Sequence, residues 1–199
     1  MVYVFFCVSG ALGPLNLNIC VSKSQGTMAN LRQLDRDVAL LTKTLRAYPG
    51  AVIVAGNSWP FYYDFESIRQ AFSELGSRVV NAVKTLADRQ EEAVLGFMSN
   101  RAEPFVVLAS PEFEFSNLTE SRRVDVDTRF GFDEAARSAL LAQMRDVGEP
   151  AIRPLSYDDM LRATVSGLAL RRTKRMLSRL HASEDVQFQQ SLRSILGEG

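Results

Sequence analysis

The sequence predicts an α/β fold built on a mixed, partly parallel sheet flanked by helices. Three observations carry this. Continuous apolar runs at residues 51–55 and 105–109 have the length and the flanking breakers of buried strands. Apolar residues between such runs recur three and four apart, the spacing of one helix face. The segment 103–161 reads as strand, acidic loop, amphipathic helix, second strand and helix. That order requires a crossover connection, and so parallel pairing, right-handed in nearly all known cases.

Taken in chain order, the apolar run 2–8 reads as a buried strand. It turns through Gly10, Gly13 and Pro14 into a second strand at 15–21. The run has no basic residue before it, as a secretory signal would, and it is too short to span a bilayer. Cys7 and Cys20 fall in this region and are expected as buried reduced thiols, pointing to a reducing, cytoplasmic setting. Met28 offers a second start, with residues 1–27 then an extension. Otherwise they form an N-terminal strand region ahead of an α/β domain at 28–182 and a C-terminal docking helix at 183–199.

Leu31, Leu34, Val38, Leu41, Leu45 and Tyr48 mark a helix capped by Asn30 and stopped by Pro49 and Gly50. A strand at 51–55 ends at Gly56, Asn57 and Ser58. The aromatic connection of Trp59, Phe61, Tyr62 and Tyr63 follows, read as a core corner or as a surface that stacks bases. Ile68, Phe72, Leu75, Val79, Val83 and Leu86 then mark one long helix, weakened but not ended by Gly76, and continued or succeeded by Ala93, Val94 and Phe97.

After the strand at 105–109, Phe132 or Asp133 opens a helix with Ala136, Leu140, Leu141 and Met144 inward and Gly148 at its C-terminal end. A strand at 151–155 follows. Ser156 then caps a helix running through Leu161, Val165 and Leu168 toward Leu180. Ser183 caps a last helix bearing Phe188, Leu192, Ile195 and Leu196.

Composition narrows the chemistry. The chain has 199 residues, 46% hydrophobic, enough for one sizeable core. Lys plus Arg and Asp plus Glu both total 23, so attraction to nucleic acid must be local. With His181 as the single histidine, a triad has one place to form, and a closed zinc site lacks ligands. There is no GxxxxGK[ST], GxGxxG or GxSxG pattern.

Three groups of residues remain as site candidates. Gly56, Asn57 and Ser58, with the loop at Ser110, form the expected pocket rim, because ligands of open α/β sheets bind beyond the carboxyl ends of strands. Asp125 and Asp127, like Glu112 and Glu114, are spaced by two, so a strand would put each pair on one face. Such carboxylates can hold Mg²⁺ or Mn²⁺, though Val124 and Val126 pointing inward would make the same pattern an exposed edge strand neutralised by Arg122, Arg123 and Arg129. The cations Arg171, Arg172, Lys174, Arg175 and Arg179 on one helix suit DNA or RNA phosphates, or else a solvated helix end.

Residues 104–109 and the later Ser156-Tyr157-Asp158-Asp159-Met160-Leu161 resemble the closing part of Shedu-type nucleases, in the restriction-endonuclease-like superfamily. The resemblance spans about residues 51–170. It implies antiviral DNA cleavage at a metal site with a Glu-x-Lys pair on a central strand. Ala55 and Asn57 stand where that pair is expected, so the resemblance implies a catalytically degenerate, nucleic-acid-binding relative that needs no cofactor. The alternatives are a Mg²⁺- or Mn²⁺-dependent nuclease or phosphodiesterase, and a non-enzymatic protein that self-associates through the Leu31 to Tyr48 or the Phe188 to Leu196 helix. No membrane association is expected.

Overall fold

The computed structural model describes residues 1–7, 27–57, 59–61, 63–83, 90–111, 115–127 and 129–165. Five strands, β1 (Val2–Phe6), β2 (Ala51–Ala55), β3 (Val79–Ala82), β4 (Phe105–Ala109) and β5 (Arg123–Asp125), form one sheet in the order β3-β2-β1-β4-β5. All four pairings are parallel. β1, β2 and β4 are buried at every position, which is why they appear in the sequence as unbroken apolar runs rather than alternating ones.

Helices cover both faces. α1 (Thr27–Leu45) joins β1 to β2, and α2 (Phe65–Ala71) with a 3₁₀ turn (Ser73–Arg78) joins β2 to β3. α3 (Gln90–Met98) carries the chain back past β1 to β4, and the short α4 (Asn117–Glu120) leads into β5. Then come α5 (Glu134–Val147), α6 (Glu149–Ile152) and α7 (Tyr157–Thr164). The pleat sorts the core. Tyr3 and Phe5 point to one face and meet Phe97 of α3 edge-on, at ring-centroid distances of 5.5 and 5.4 Å. Phe6 points to the other face, against Phe72 at 5.2 Å and Trp59 at 5.8 Å.

β1 is the middle of the sheet, so residues 2–6 share one core with the described elements that follow. A chain starting at Met28 would lack its central strand.

The helix read through Ile68, Val79 and Leu86 is instead α2, the 3₁₀ turn and β3. Gly76 makes the difference: a Cβ there would lie 2.5 Å from the Arg69 carbonyl oxygen, so the turn closes more tightly than any other residue allows. The strand expected at 151–155 is also corrected. Residues 149–152 form the single turn of α6, whose Ala151 carbonyl accepts from the Gly50 amide, and 153–155 make no strand pairing. The helix expected to run from Ser156 past Val165 ends at Thr164, where Val165 turns extended. Asn30 lies inside α1 rather than capping it. The readings of a strand at 15–21, Cys20, His181 and the Phe188 to Leu196 helix fall outside the described residues.

Candidate ligand site at the carboxyl edge of the sheet

The chain steps from β1 to β2 to β3 in one direction, then returns to the other side of β1 for β4 and β5. Right-handed crossovers therefore put the helices that follow β1 and β4, α1 and α4, on opposite faces. The strand order reverses between these two strands, and doubly wound sheets take ligands beyond the carboxyl ends at such a point. Strand register places Cys7, Gly56, Val83, Ser110 and Val126 along this edge. Backbone bonds continue the ladder there: Gly56 N donates to Phe6 O at 2.8 Å and Cys7 N to Leu108 O at 3.0 Å.

Gly56 has a steric reason to be glycine, since a Cβ would stand 3.0 Å from Cys7 Sγ. Cys7 is buried and in no disulfide, and burial pushes its thiol up to about 12. It stays protonated and is no nucleophile at neutral pH. Asn57 is fully buried, its Oδ1 accepting from Trp59 N at 3.1 Å, a local turn that leads into the short 3₁₀ segment Trp59–Phe61. Gln90 opens α3 and is 6% exposed, its Nε2 donating to Cys7 O at 2.5 Å. Gln90 thus reaches Cys7 from the α3 side, and Asn57 follows Gly56, the residue just past β2 that abuts Cys7.

Three buried side-chain atoms here have no hydrogen-bond partner: Asn57 Nδ2, Trp59 Nε1 and Gln90 Oε1. Buried polar groups left without any partner cost about 1–3 kcal/mol each, and in native proteins nearly all are paired by protein or ordered water, so these three atoms mark where this edge has hydrogen bonds still to offer. Beside Gln90, Glu91 accepts from Ser116 N at 2.9 Å, Ser116 Oγ at 2.8 Å and Thr119 Oγ1, clamping the first turn of α3 to α4. Burial acts to raise the Glu91 pKa, but the bonds from Thr119 and Ser116 outweigh it and lower it.

Of the predicted rim, Gly56 and Asn57 sit at this edge with Ser110 buried at the end of β4, while Ser58 lies outside the described residues. Trp59 packs in the core between Phe6 and Phe72. Asp125 closes the edge strand β5 and Asp127 lies two residues past it, with Val124 and Val126 buried, as the alternating pattern implied. Each carboxylate already holds an arginine: Arg123 Nε lies 2.7 Å from Asp125 and Arg129 Nη2 2.7 Å from Asp127. The Arg129 side chain and amide hold Asp127 down at about 2. A metal would have to displace both arginines, and no group of three metal-ligating side chains occurs among the described residues. Arg171, Arg172, Lys174, Arg175 and Arg179, and also Glu112 and Glu114, fall outside them.

Gln90 was not visible as a site residue. Reading 79–82 as helix hid the return crossover that brings α3 to the edge. No family model, curated protein or solved structure matches this chain. Among the described residues no helix is long and apolar enough to cross a membrane.

Proposed function

We propose that this chain is a small-molecule-binding α/β protein whose ligand seats at the carboxyl edge between β1 and β4. The observation that carries this is the pair of buried, half-satisfied amides at the carboxyl edge: Asn57, two residues past the end of β2, and Gln90, on the carbonyl of Cys7 just past β1. A ligand supplying the missing partners would bind the folded chain alone and stabilise it. At a hundredfold excess over Kd the gain is about 2.7 kcal/mol, or roughly 5–10 °C in Tm for a chain of this size. Thermal unfolding with uridine, adenosine, nicotinamide and pyrophosphate tests it, combined with backbone amide shifts at Cys7, Gly56, Gln90 and Ser110. Silence of those amides toward every probe would sink the reading.

The charge pattern of Arg171, Arg172, Lys174, Arg175 and Arg179 supports a second reading, in which the chain contacts DNA or RNA phosphates as the likeness to Shedu-type nucleases implies. Anisotropy with labelled duplex DNA at low salt decides it. Binding unchanged after neutralising Arg171, Arg172, Lys174 and Arg175 would exclude that surface, and plasmid cleavage with Mg²⁺ or Mn²⁺ would restore the nuclease alternative.

A further inference from the structure

The chemistry of the two amides narrows the ligand class. Side-chain amides are often ambiguous between oxygen and nitrogen, but here the partners remove the ambiguity. Trp59 N is a donor, so the Asn57 atom facing it is the oxygen; Cys7 O is an acceptor, so the Gln90 atom facing it is the nitrogen. What remains is one amide donor, Asn57 Nδ2, and one amide acceptor, Gln90 Oε1, with Trp59 Nε1 as a second donor. Of the described residues at this edge, Cys7, Gly56, Asn57, Gln90 and Ser110 carry no charge; Glu91, next to Gln90, is engaged by Ser116 and Thr119, and Asp125 and Asp127, on either side of Val126, are paired with Arg123 and Arg129. An anion would satisfy the donors but confront the Gln90 oxygen without a counter-charge, and a cation would do the reverse. An apolar ligand would leave both amides at their full desolvation cost.

On the reading that this edge is a ligand site, we infer that its ligand is a neutral group presenting an acceptor beside a donor, the edge of a nucleobase, bound by Asn57 Nδ2 and Gln90 Oε1. Uracil offers C4=O beside N3–H, and adenine N1 beside the N6 amine; either supplies the acceptor that Asn57 lacks and the donor that Gln90 lacks. Trp59 is enclosed by Phe6 and Phe72, so recognition comes from hydrogen bonds rather than from stacking on its ring.

The test is a titration of the ¹⁵N-labelled full chain with uridine and adenosine, with their blocked forms 3-methyluridine and N6,N6-dimethyladenosine, and with pyrophosphate. The expected result is that uridine or adenosine shifts the Asn57 and Gln90 side-chain NH₂ resonances, and that its blocked form binds at least roughly tenfold more weakly. Asn57→Asp keeps the acceptor for Trp59 N and removes the orphan donor, so it should weaken the same nucleoside to a similar degree. The blocked nucleosides give the answer even if that variant fails to fold. Equal binding of free and blocked nucleosides overturns the inference. Edge amides that respond to pyrophosphate alone, or to nicotinamide alone, overturn the nucleobase assignment while leaving a ligand site; edge amides that respond to nothing overturn both.

Discussion

Asp159 is 2% exposed and accepts from Ser156 N at 3.0 Å, Ser156 Oγ at 2.8 Å, Arg153 Nη2 at 2.8 Å and Arg162 Nη2 at 2.8 Å. Those four donors favour the ionised form. The Ser156 amide leads, burial opposes it, and the Ser156 hydroxyl and Arg153 add to it, so the carboxyl lies well below the usual carboxylate range. Asp127, held at about 2 by Arg129, is shifted in the same direction. A carboxylate depressed in the folded state binds its proton first in the unfolded chain, near pH 3.9. Its contribution to stability is therefore complete above about pH 4 and lost as pH falls through the folded value. Tm should fall steeply between about pH 4 and pH 2. Asp159→Asn should flatten that limb while lowering stability at pH 7 by about 2 kcal/mol, less than the roughly 3–5 kcal/mol of a fully buried pair because Arg153 and Arg162 stay half exposed. An acid limb identical in Asp159→Asn and the parent would show that this carboxylate does not govern it.

Element by element, legibility in the sequence followed burial. β1, β2 and β4 touch other elements on both faces and so appear as unbroken apolar runs; β5, at the edge, appears as an alternation of Val124 and Val126 with Asp125 and Asp127. The Ser156 cap is a reciprocal capping box with Asp159, a local pattern that needs no knowledge of the rest of the chain. β3 was illegible because Phe72, Leu75, Val79 and Val83 continue a helical spacing straight through the point where the backbone changes. The deciding contacts are Arg69 Nε on Gly76 O at 3.0 Å, and Arg78 Nη1 on the carbonyls of Leu45 and Tyr48 at 2.9 and 3.1 Å. The last two join residues 33 and 30 apart, and one of them satisfies a carbonyl at the end of α1. The site shared this fate: Asn57 follows a strand that could be read, whereas Gln90 reaches the edge only through the crossover after β3. Gly76→Ala tells the two accounts apart by sign. In a continuous helix it would stabilise by about 0.5–1 kcal/mol, and in the observed turn, against the Arg69 carbonyl, it should destabilise by about 1–3 kcal/mol in urea unfolding.

On the scale of the whole molecule, stability is organised around β1. Its five residues are 0% exposed, it bonds β2 on one side and β4 on the other, and its aromatic side chains anchor the core on both faces. Removing it would turn β2 and β4 into two unpaired inner edges, leave Phe97 without Tyr3 and Phe5, and take Phe6 from Phe72 and Trp59. Pairing β2 directly with β4 offers no repair: helices that now sit on opposite sides of β1 would have to close a gap of one strand, about 4.8 Å at each boundary. Residues 28–199 expressed alone are thus expected to show no cooperative urea transition and no near-ultraviolet dichroism from Trp59. In the full chain, β1 amides should exchange only through global unfolding, with a free energy equal to that from urea. β5, three residues long and bonded on one side in the described sheet, should exchange at least roughly tenfold faster through local opening. A cooperative fold in residues 28–199, or β1 exchanging as fast as β5, would mean that the centre of the sheet lies elsewhere; the ligand site proposed beyond the ends of β1 and β4 would then lose its basis.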